Sequence, residues 1–159
     1  MKRTLATKRS PIGIAAFTLI EMMAVMVIIA LLAGIVIGTA GYIQRKAATA
    51  RAEAEIHAME MALESYKNDN GGYPIATVIA AVYTALAGGP KIYMSFKADQ
   101  LSISGSTTNI IDPFGTAYNY TCNASAGGNY NRATFDLWSN GPDRGNNSGT
   151  GDDIANFKR

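Results

Sequence analysis

A long apolar run near the amino terminus dominates the hydrophobic pattern of the chain. From Met22 to Ile43 the sequence contains no charged residue, and the acidic Glu21 immediately precedes this run. About 20 consecutive apolar residues allow an α-helix to cross a bilayer, so the pattern predicts a transmembrane half of a long helix over residues 17–41. An ionised carboxylate in hydrocarbon costs about 2.5–3.5 kcal/mol on insertion scales and is normally paired. Glu21 is therefore a candidate functional residue.

The helical pattern continues over residues 42–70, beyond the apolar run. Apolar residues recur there at spacings of three and four on two opposite faces. One face carries Ile43, Ala47, Ala50, Ala54, Ala58 and Met61, and the other carries Ile56, Met59, Leu63 and Tyr66. Two apolar faces imply burial on both sides, one against the chain's own domain and one against a neighbouring subunit. Glycines followed by Pro74 end the helix.

The remaining residues, 71–159, are predicted to form a small globular head. A shorter helix is predicted over 76–87, although its β-branched residues leave a strand as the open alternative. Strands are predicted over 117–122 and 133–138, on either side of a loop. The predicted fold class is therefore α+β, with a small antiparallel sheet laid against the long helix.

Composition narrows the possible functions. Residues 1–16 are basic and then small and apolar, which is typical of a targeting leader. Four of the 14 Lys and Arg residues lie in it, which leaves ten against 12 acidic residues, so the mature chain is not a nucleic-acid binder. The single Cys122 excludes an internal disulfide, and the single His57 has no nucleophile or metal ligand near it. No catalytic fingerprint is present, so we expect a protein that is not an enzyme.

The carboxyl-terminal stretch SNGPDRGNNSGTGDDI contains clustered acidic residues. Asp143, Asp152 and Asp153 are linked by a segment too rich in Gly and Asn for regular structure. Ca²⁺ binds six to eight oxygens from carboxylates and backbone carbonyls, which a loop of this composition supplies. The composition therefore suggests a Ca²⁺ site, with a solvated acidic loop as the alternative.

The sequence FTLIE, placed between a basic leader and the apolar run, resembles the processing signal of type IV pilin-like proteins. The resemblance implies that a prepilin peptidase cleaves between Ala16 and Phe17, followed by methylation of the new amino terminus. It also implies that Glu21 pairs with the terminal amine of a neighbouring subunit during assembly. Ala16 departs from the family's usual Gly, so we expect slower cleavage.

Four further motifs, YKNDNGGYP, DPFG, DLWSNGPD and GDDI, resemble in their order those of the major pseudopilins of type II secretion systems. The resemblance implies a type IV pilin-like fold that binds Ca²⁺ in its terminal loop. Asp143 and Asp152 would supply carboxylates, with Asp153 ranked below them, and Asn140 and Pro142 would supply backbone carbonyls.

The same resemblance implies a function and a location. The chain would sit in the bacterial inner membrane as a single-pass protein with a periplasmic head, in contact with membrane lipid. After processing it would polymerise with itself into a periplasmic pseudopilus that drives protein secretion. Its other partners would be minor pseudopilins and the inner-membrane assembly platform.

Two alternatives remain open. One is a type IV pilin of a surface pilus or competence filament, which the missing cysteine pair and the acidic loop disfavour. The other is a secreted binding domain with an ordinary signal peptide, cut for instance after Ala40. The apolar region of such a signal spans only about 7–15 residues, which is shorter than the run seen here.

Overall fold

A computed structural model describes residues 17–122 and 130–157. The predicted leader 1–16, and with it Ala16 and the cleavage junction, lies outside the described residues. The helices are α1 (Leu19–Asn70) and α2 (Ile79–Ala87), and a single 3₁₀ turn spans Ala98–Gln100. The strands are β1 (Leu101–Ser104), β2 (Thr107–Ile110), β3 (Asn119–Thr121), β4 (Asp136–Ser139) and β5 (Ile154–Ala155). The α+β class is therefore confirmed.

The chain divides into two compact units, residues 1–40 and 41–159. In the first unit, Thr18 precedes α1 and its hydroxyl accepts a hydrogen bond from the backbone N–H of Glu21 at 3.3 Å. Thr and Glu at this spacing form the sequence pattern of a capping box. Glu21 therefore lies in the first helical turn, where the helix dipole favours a negative charge.

The large apolar side chains described in the first unit are exposed, as at Leu19 (78%) and Ile37 (77%). The sequence predicts a membrane span over residues 17–41. Among the residues that the structure describes, no helix is long and apolar enough to cross a membrane. The span therefore stays a prediction.

The core of the second unit forms around one face of α1. Ile56, Met59 and Leu63 are at most 2% exposed and pack with apolar residues of α2, β2, β3 and β4. Full burial of each such side chain contributes about 1.5–3 kcal/mol. The opposite face is open, with Ile43 60% and Met61 75% exposed. The two faces predicted from the spacing are thus present, one buried by the chain itself and one uncovered.

Helix α2 begins three residues later than predicted. Ala76 instead pairs with Cys122, and its backbone N–H donates to the Cys122 carbonyl oxygen at 3.1 Å. Val78 is still extended, and helical geometry starts at Ile79. The strand alternative for this segment is wrong, because Ile79, Val82 and Leu86 lie on one helical face and are all buried.

The described residues form two antiparallel sheets, where the sequence predicted one. Strands β3, β4 and β5 pair in that order, with Tyr120 opposite Leu137 and Trp138 opposite Ala155. The predicted strand 117–122 contains β3 and is too long, whereas the predicted strand 133–138 starts three residues before β4 and ends one residue before the end of β4. The hairpin of β1 and β2 was not predicted, because its Ser- and Thr-rich strands have mostly exposed or half-exposed side chains.

A polar contact also attaches the head to α1. The Tyr118 hydroxyl donates to Glu55 Oε2 at 2.7 Å, and Gln100 Nε2 donates to Glu55 Oε1 at 3.0 Å. Burial raises the pKa of Tyr118, and the Glu55 carboxylate raises it further. The phenol therefore stays protonated at neutral pH and remains a hydrogen-bond donor.

We predict that Tyr118→Phe lowers the free energy of unfolding by about 1–3 kcal/mol, because it leaves one oxygen of the Glu55 carboxylate without its donor. Urea denaturation followed by circular dichroism measures the change. Tyr83→Phe is the matched control, since the Tyr83 hydroxyl has no hydrogen bond to any residue that the structure describes, and it should change stability by less than about 0.5 kcal/mol. Equal effects of the two substitutions would contradict the role of Glu55.

Candidate functional site

The terminal loop, residues 139–153, is held in place by a buried carboxylate from another part of the chain. Asp112 is 4% exposed and begins the turn formed by DPFG. Its Oδ1 accepts from the backbone N–H groups of Phe114 at 3.1 Å and Thr116 at 2.8 Å. Its Oδ2 accepts from the hydroxyls of Thr116 at 2.7 Å and Ser139 at 2.6 Å. The sequence indicates only a turn here, whereas the structure shows that the turn also fixes the end of β4.

The loop then folds back on itself at a glycine. The Ser139 hydroxyl accepts the backbone N–H of Gly141 at 3.1 Å. Gly141 has φ +67°, and a Cβ placed on it would lie 2.1 Å from the backbone oxygen of Asp152. The first and last parts of the loop are therefore packed backbone against backbone, which only glycine permits.

This packing brings two of the predicted acidic residues together. The backbone N–H of Asp143 donates to Asp152 Oδ2 at 3.0 Å. Asp143 Oδ1 in turn accepts the backbone N–H of Gly145 at 2.6 Å. Both side chains lie on the exposed side of the loop. Asn140 and Pro142, the predicted carbonyl donors, flank Gly141 at the start of the loop.

The side chain of Asp153 points into the loop. Its Oδ2 accepts the backbone N–H groups of Asn147 at 3.0 Å and Gly149 at 2.8 Å. Its Oδ1 is buried and has no hydrogen-bond partner among the described residues. A buried carboxylate oxygen without a partner is rare and indicates a missing donor, water or cation.

The acidic groups do not form a three-carboxylate cluster. In the described parts of the chain, no three His, Cys, Asp or Glu side chains are grouped so that they hold a metal ion. A cation bound by the loop would have two carboxylates and the backbone carbonyl oxygens of the loop as its oxygen ligands. The Ca²⁺ site therefore stays a prediction.

Amide side chains that the sequence analysis did not single out organise the outer side of the loop. Trp138 Nε1 donates to Asn146 Oδ1 at 3.1 Å, and Asn146 Nδ2 donates to Asn119 Oδ1 at 3.3 Å. Asn119 Nδ2 then donates to Asn140 Oδ1 at 2.6 Å. Trp138 is the single tryptophan of the chain, so its fluorescence reports on the loop.

Two residues of the loop other than glycine have left-handed backbones, Arg144 at φ 62° and Ser148 at φ 56°. This conformation costs an L-residue about 1–2 kcal/mol relative to the right-handed form. The loop is thus a fixed structure that its internal hydrogen bonds hold in strained geometry.

The predicted processing and assembly residues lie elsewhere, at the start of α1. Phe17 is 69% exposed, and Glu21 is also exposed. A pairing between Glu21 and the amine of another subunit involves a second, processed copy. That role stays a prediction.

Comparison with known proteins identifies similar chains. The sequence profile of the family described as type II secretion system protein G matches residues 41–157. The type II secretion system core protein G of Escherichia coli (strain K12) is 33% identical over 142 residues, 89% of each chain. The core protein G of Pseudomonas aeruginosa is 31% identical over 145 residues, 90% of this chain and 94% of that one. That of Pectobacterium carotovorum is 33% identical over 143 residues, 89% of this chain and 83% of the other. No solved structure matches.

We predict that Gly141→Ala disrupts the terminal loop. A methyl group there meets the Asp152 backbone oxygen and also forces an L-residue into a left-handed conformation, so we expect a loss of about 3 kcal/mol or more. Thermal unfolding followed by Trp138 fluorescence measures it. Gly105→Ala is the matched control, because Gly105 has φ +60° but nothing within 4 Å of its Cβ position, and should cost only about 1–2 kcal/mol. A Gly141 variant no less stable than the Gly105 variant would contradict the close packing.

Proposed function

The chain belongs to the type II secretion system protein G family, and from this premise we propose that it is the major pseudopilin subunit, which polymerises into a periplasmic filament after its leader is removed. The resemblance drawn from the spaced motifs is confirmed, and with it a pseudopilin role in type II secretion. The observation that carries the proposal is the family match over residues 41–157. We further propose that this role is structural and involves no catalysis.

Polymerisation is supported by the uncovered face of α1. Ile43 and Met61 are more than half exposed, although the opposite face of the same helix is buried at Ile56 and Leu63. Apolar surface of this kind on a helix is covered in the functional state by lipid or by another chain. Stacked copies of the same subunit would cover it along the length of α1.

A membrane anchor before assembly is supported by the sequence. The run from Met22 to Ile43 has no charge, and the large apolar side chains described within it are exposed in the single chain. Lipid in the bacterial inner membrane would cover them until neighbouring helices replace it. The head, residues 71–159, would then lie on the periplasmic side.

Glu21 is the proposed assembly residue. Thr18 caps the helix and keeps Glu21 in its first turn, close in sequence to Phe17. Cleavage by a prepilin peptidase between Ala16 and Phe17 would give Phe17 a positively charged amine, which methylation preserves. Pairing of that amine with Glu21 of a neighbouring copy would satisfy both charges in lipid and set the stagger between subunits.

We predict that Glu21→Gln abolishes filament formation and leaves the monomer folded and in the membrane. Glutamine keeps the spacing of the capping box and removes only the charge. Filaments are counted by electron microscopy in cells that express the processing peptidase and the assembly components. Glu53→Gln, which removes an exposed charge in the second unit, is the control and should leave filaments intact. Normal filaments from the Glu21 variant would refute the pairing.

We propose Ca²⁺ as the ion of the terminal loop. The loop offers oxygen ligands, the Asp152 carboxylate lies against the backbone of Asp143, and Asp153 Oδ1 lacks a partner among the described residues. These features fit a hard cation that takes several oxygen ligands. Asp143 and Asp152 would bind it through carboxylates, with Asn140 and Pro142 contributing backbone carbonyls. The ion would neutralise the acidic groups and stabilise the folded loop, since the unfolded chain has no such site.

Accordingly, Ca²⁺ should raise the thermal midpoint by about 10 °C when its concentration is about a hundred times the dissociation constant, compared with protein in chelator. Asp152→Asn should remove most of this shift. Asp99→Asn, at an exposed aspartate outside the loop, should retain it. An unchanged midpoint at millimolar Ca²⁺ would argue strongly against the site.

A further inference from the structure

A cleft in the second unit contains two arginines. It has a volume of about 560 Å³, and α1 contributes Gln44 and Arg45 to its lining. Phe114 from the DPFG turn, together with Pro142 and Arg144 from the terminal loop, lines the other side. We call this the arginine cleft.

Neither arginine side chain of the cleft forms an ion pair with a carboxylate of the described residues. Among the described residues, no carboxylate oxygen lies within 4.0 Å of Arg45 or Arg144. Two lysines of the unit, by contrast, are paired: Lys67 with Glu64 at 3.6 Å, and Lys91 with Asp69. A guanidinium is charged at every physiological pH and presents a planar fork of donors that fits phosphate oxygens. The cleft is therefore lined by two unpaired guanidinium groups of the kind that binds anions.

The backbone at Arg144 also points to a function for its side chain. Its φ of 62° is a conformation that glycine adopts without strain. A hydrogen bond from its backbone N–H to the Gly141 carbonyl oxygen at 3.2 Å helps to fix it. Glycine would suit this backbone better, so the arginine is kept at a cost in stability.

The position of Arg45 indicates the source of the anion. Arg45 lies in α1 two residues after Ile43, where the uncharged run ends. At 1.5 Å per residue this is about 3 Å along the helix, so an inserted run places Arg45 among the lipid headgroups. The apolar Phe114 and Pro142 are compatible with the glycerol and upper acyl region next to a headgroup phosphate.

We propose that the arginine cleft binds the phosphate of an anionic phospholipid headgroup, which holds the second unit at the bilayer surface before polymerisation. The proposal rests on the membrane anchor of the proposed function. It adds a specific lipid contact to the head, one that the apolar run does not provide.

The test uses the mature full chain in neutral detergent at fixed Ca²⁺, with unfolding followed by Trp138 fluorescence. Dihexanoyl phosphatidylglycerol should raise the thermal midpoint by several degrees in a saturable manner. Dihexanoyl phosphatidylcholine and inorganic phosphate at equal concentration should have less than a third of this effect. Arg45→Gln should raise the half-saturating lipid concentration at least tenfold.

Arg144→Gly is the decisive variant, because it relieves backbone strain and removes the guanidinium. We expect it to melt at or above the wild-type midpoint without lipid and to need at least tenfold more phosphatidylglycerol for half-saturation. Arg132→Gln, at an exposed arginine outside the cleft, should respond as wild type. A purely structural arginine would give the opposite result, a lower midpoint and an unchanged lipid response.

Four results would overturn the proposal. They are a wild-type chain that does not respond to phosphatidylglycerol, an Arg144→Gly variant that responds as wild type, an equal response to phosphatidylcholine, and an equal response to inorganic phosphate. A midpoint that rises with protein concentration without lipid, and only when Arg144 is present, would instead assign the cleft to a carboxylate of a second copy. Absent filaments together with an intact lipid response would refute the proposed function and leave the lipid site standing.

Discussion

The carboxylate of Asp112 is the constraint on which the carboxyl-terminal half of the head depends. A buried ionised group is tolerated only when hydrogen bonds replace its lost hydration. Asp112 obtains these bonds from Phe114, Thr116 and Ser139, and the last of these lies 27 residues away in sequence. In the folded head this contact places the turn beside the end of β4, where the terminal loop begins. The contact therefore fixes the start of the terminal loop relative to the DPFG turn.

The helical period of α1 is the second constraint on the structure, because it places the apolar residues on two opposite faces of the helix. One face buries Ile56, Met59 and Leu63 within the chain, and Glu55 adds a polar tie to Tyr118 at the border of that face. The opposite face carries apolar residues that no described part of the chain buries. A single helix thus forms the base of the folded head with one face and leaves an apolar surface exposed on the other. This division follows from spacings of three and four residues alone.

The sequence predicts the parts of this structure that are set locally. The end of α1 at Asn70 follows from a long periodic pattern and the glycines and proline after it. The strands contain only two to four residues, which is too short for an alternation of apolar and polar residues to predict them reliably. Their pairing depends on buried polar contacts such as that of Asp136 with the backbone N–H groups of Tyr130 and Asn131, at 2.6 and 2.9 Å. In the loop, composition alone predicts Asp143 and Asp152 as acidic candidates. The inward orientation of the Asp153 side chain and the asparagine hydrogen bonds depend on contacts between residues that are distant in sequence, so the sequence does not predict them.

The terminal loop separates charges of opposite sign within a few residues. The backbone N–H of Asp143 donates to the Asp152 carboxylate, whereas the next residue, Arg144, lines the arginine cleft. The negative charge of Asp143 therefore weakens the positive potential that Arg144 presents to an anion. A cation bound by Asp143 and Asp152 would cancel this effect, since the two sites share one short backbone segment. By linkage, an anion in the cleft would then strengthen cation binding by the same factor. If both proposed sites are present, the two charged sides of the loop would form one coupled system, attached to the rest of the head through the buried Asp112 contact.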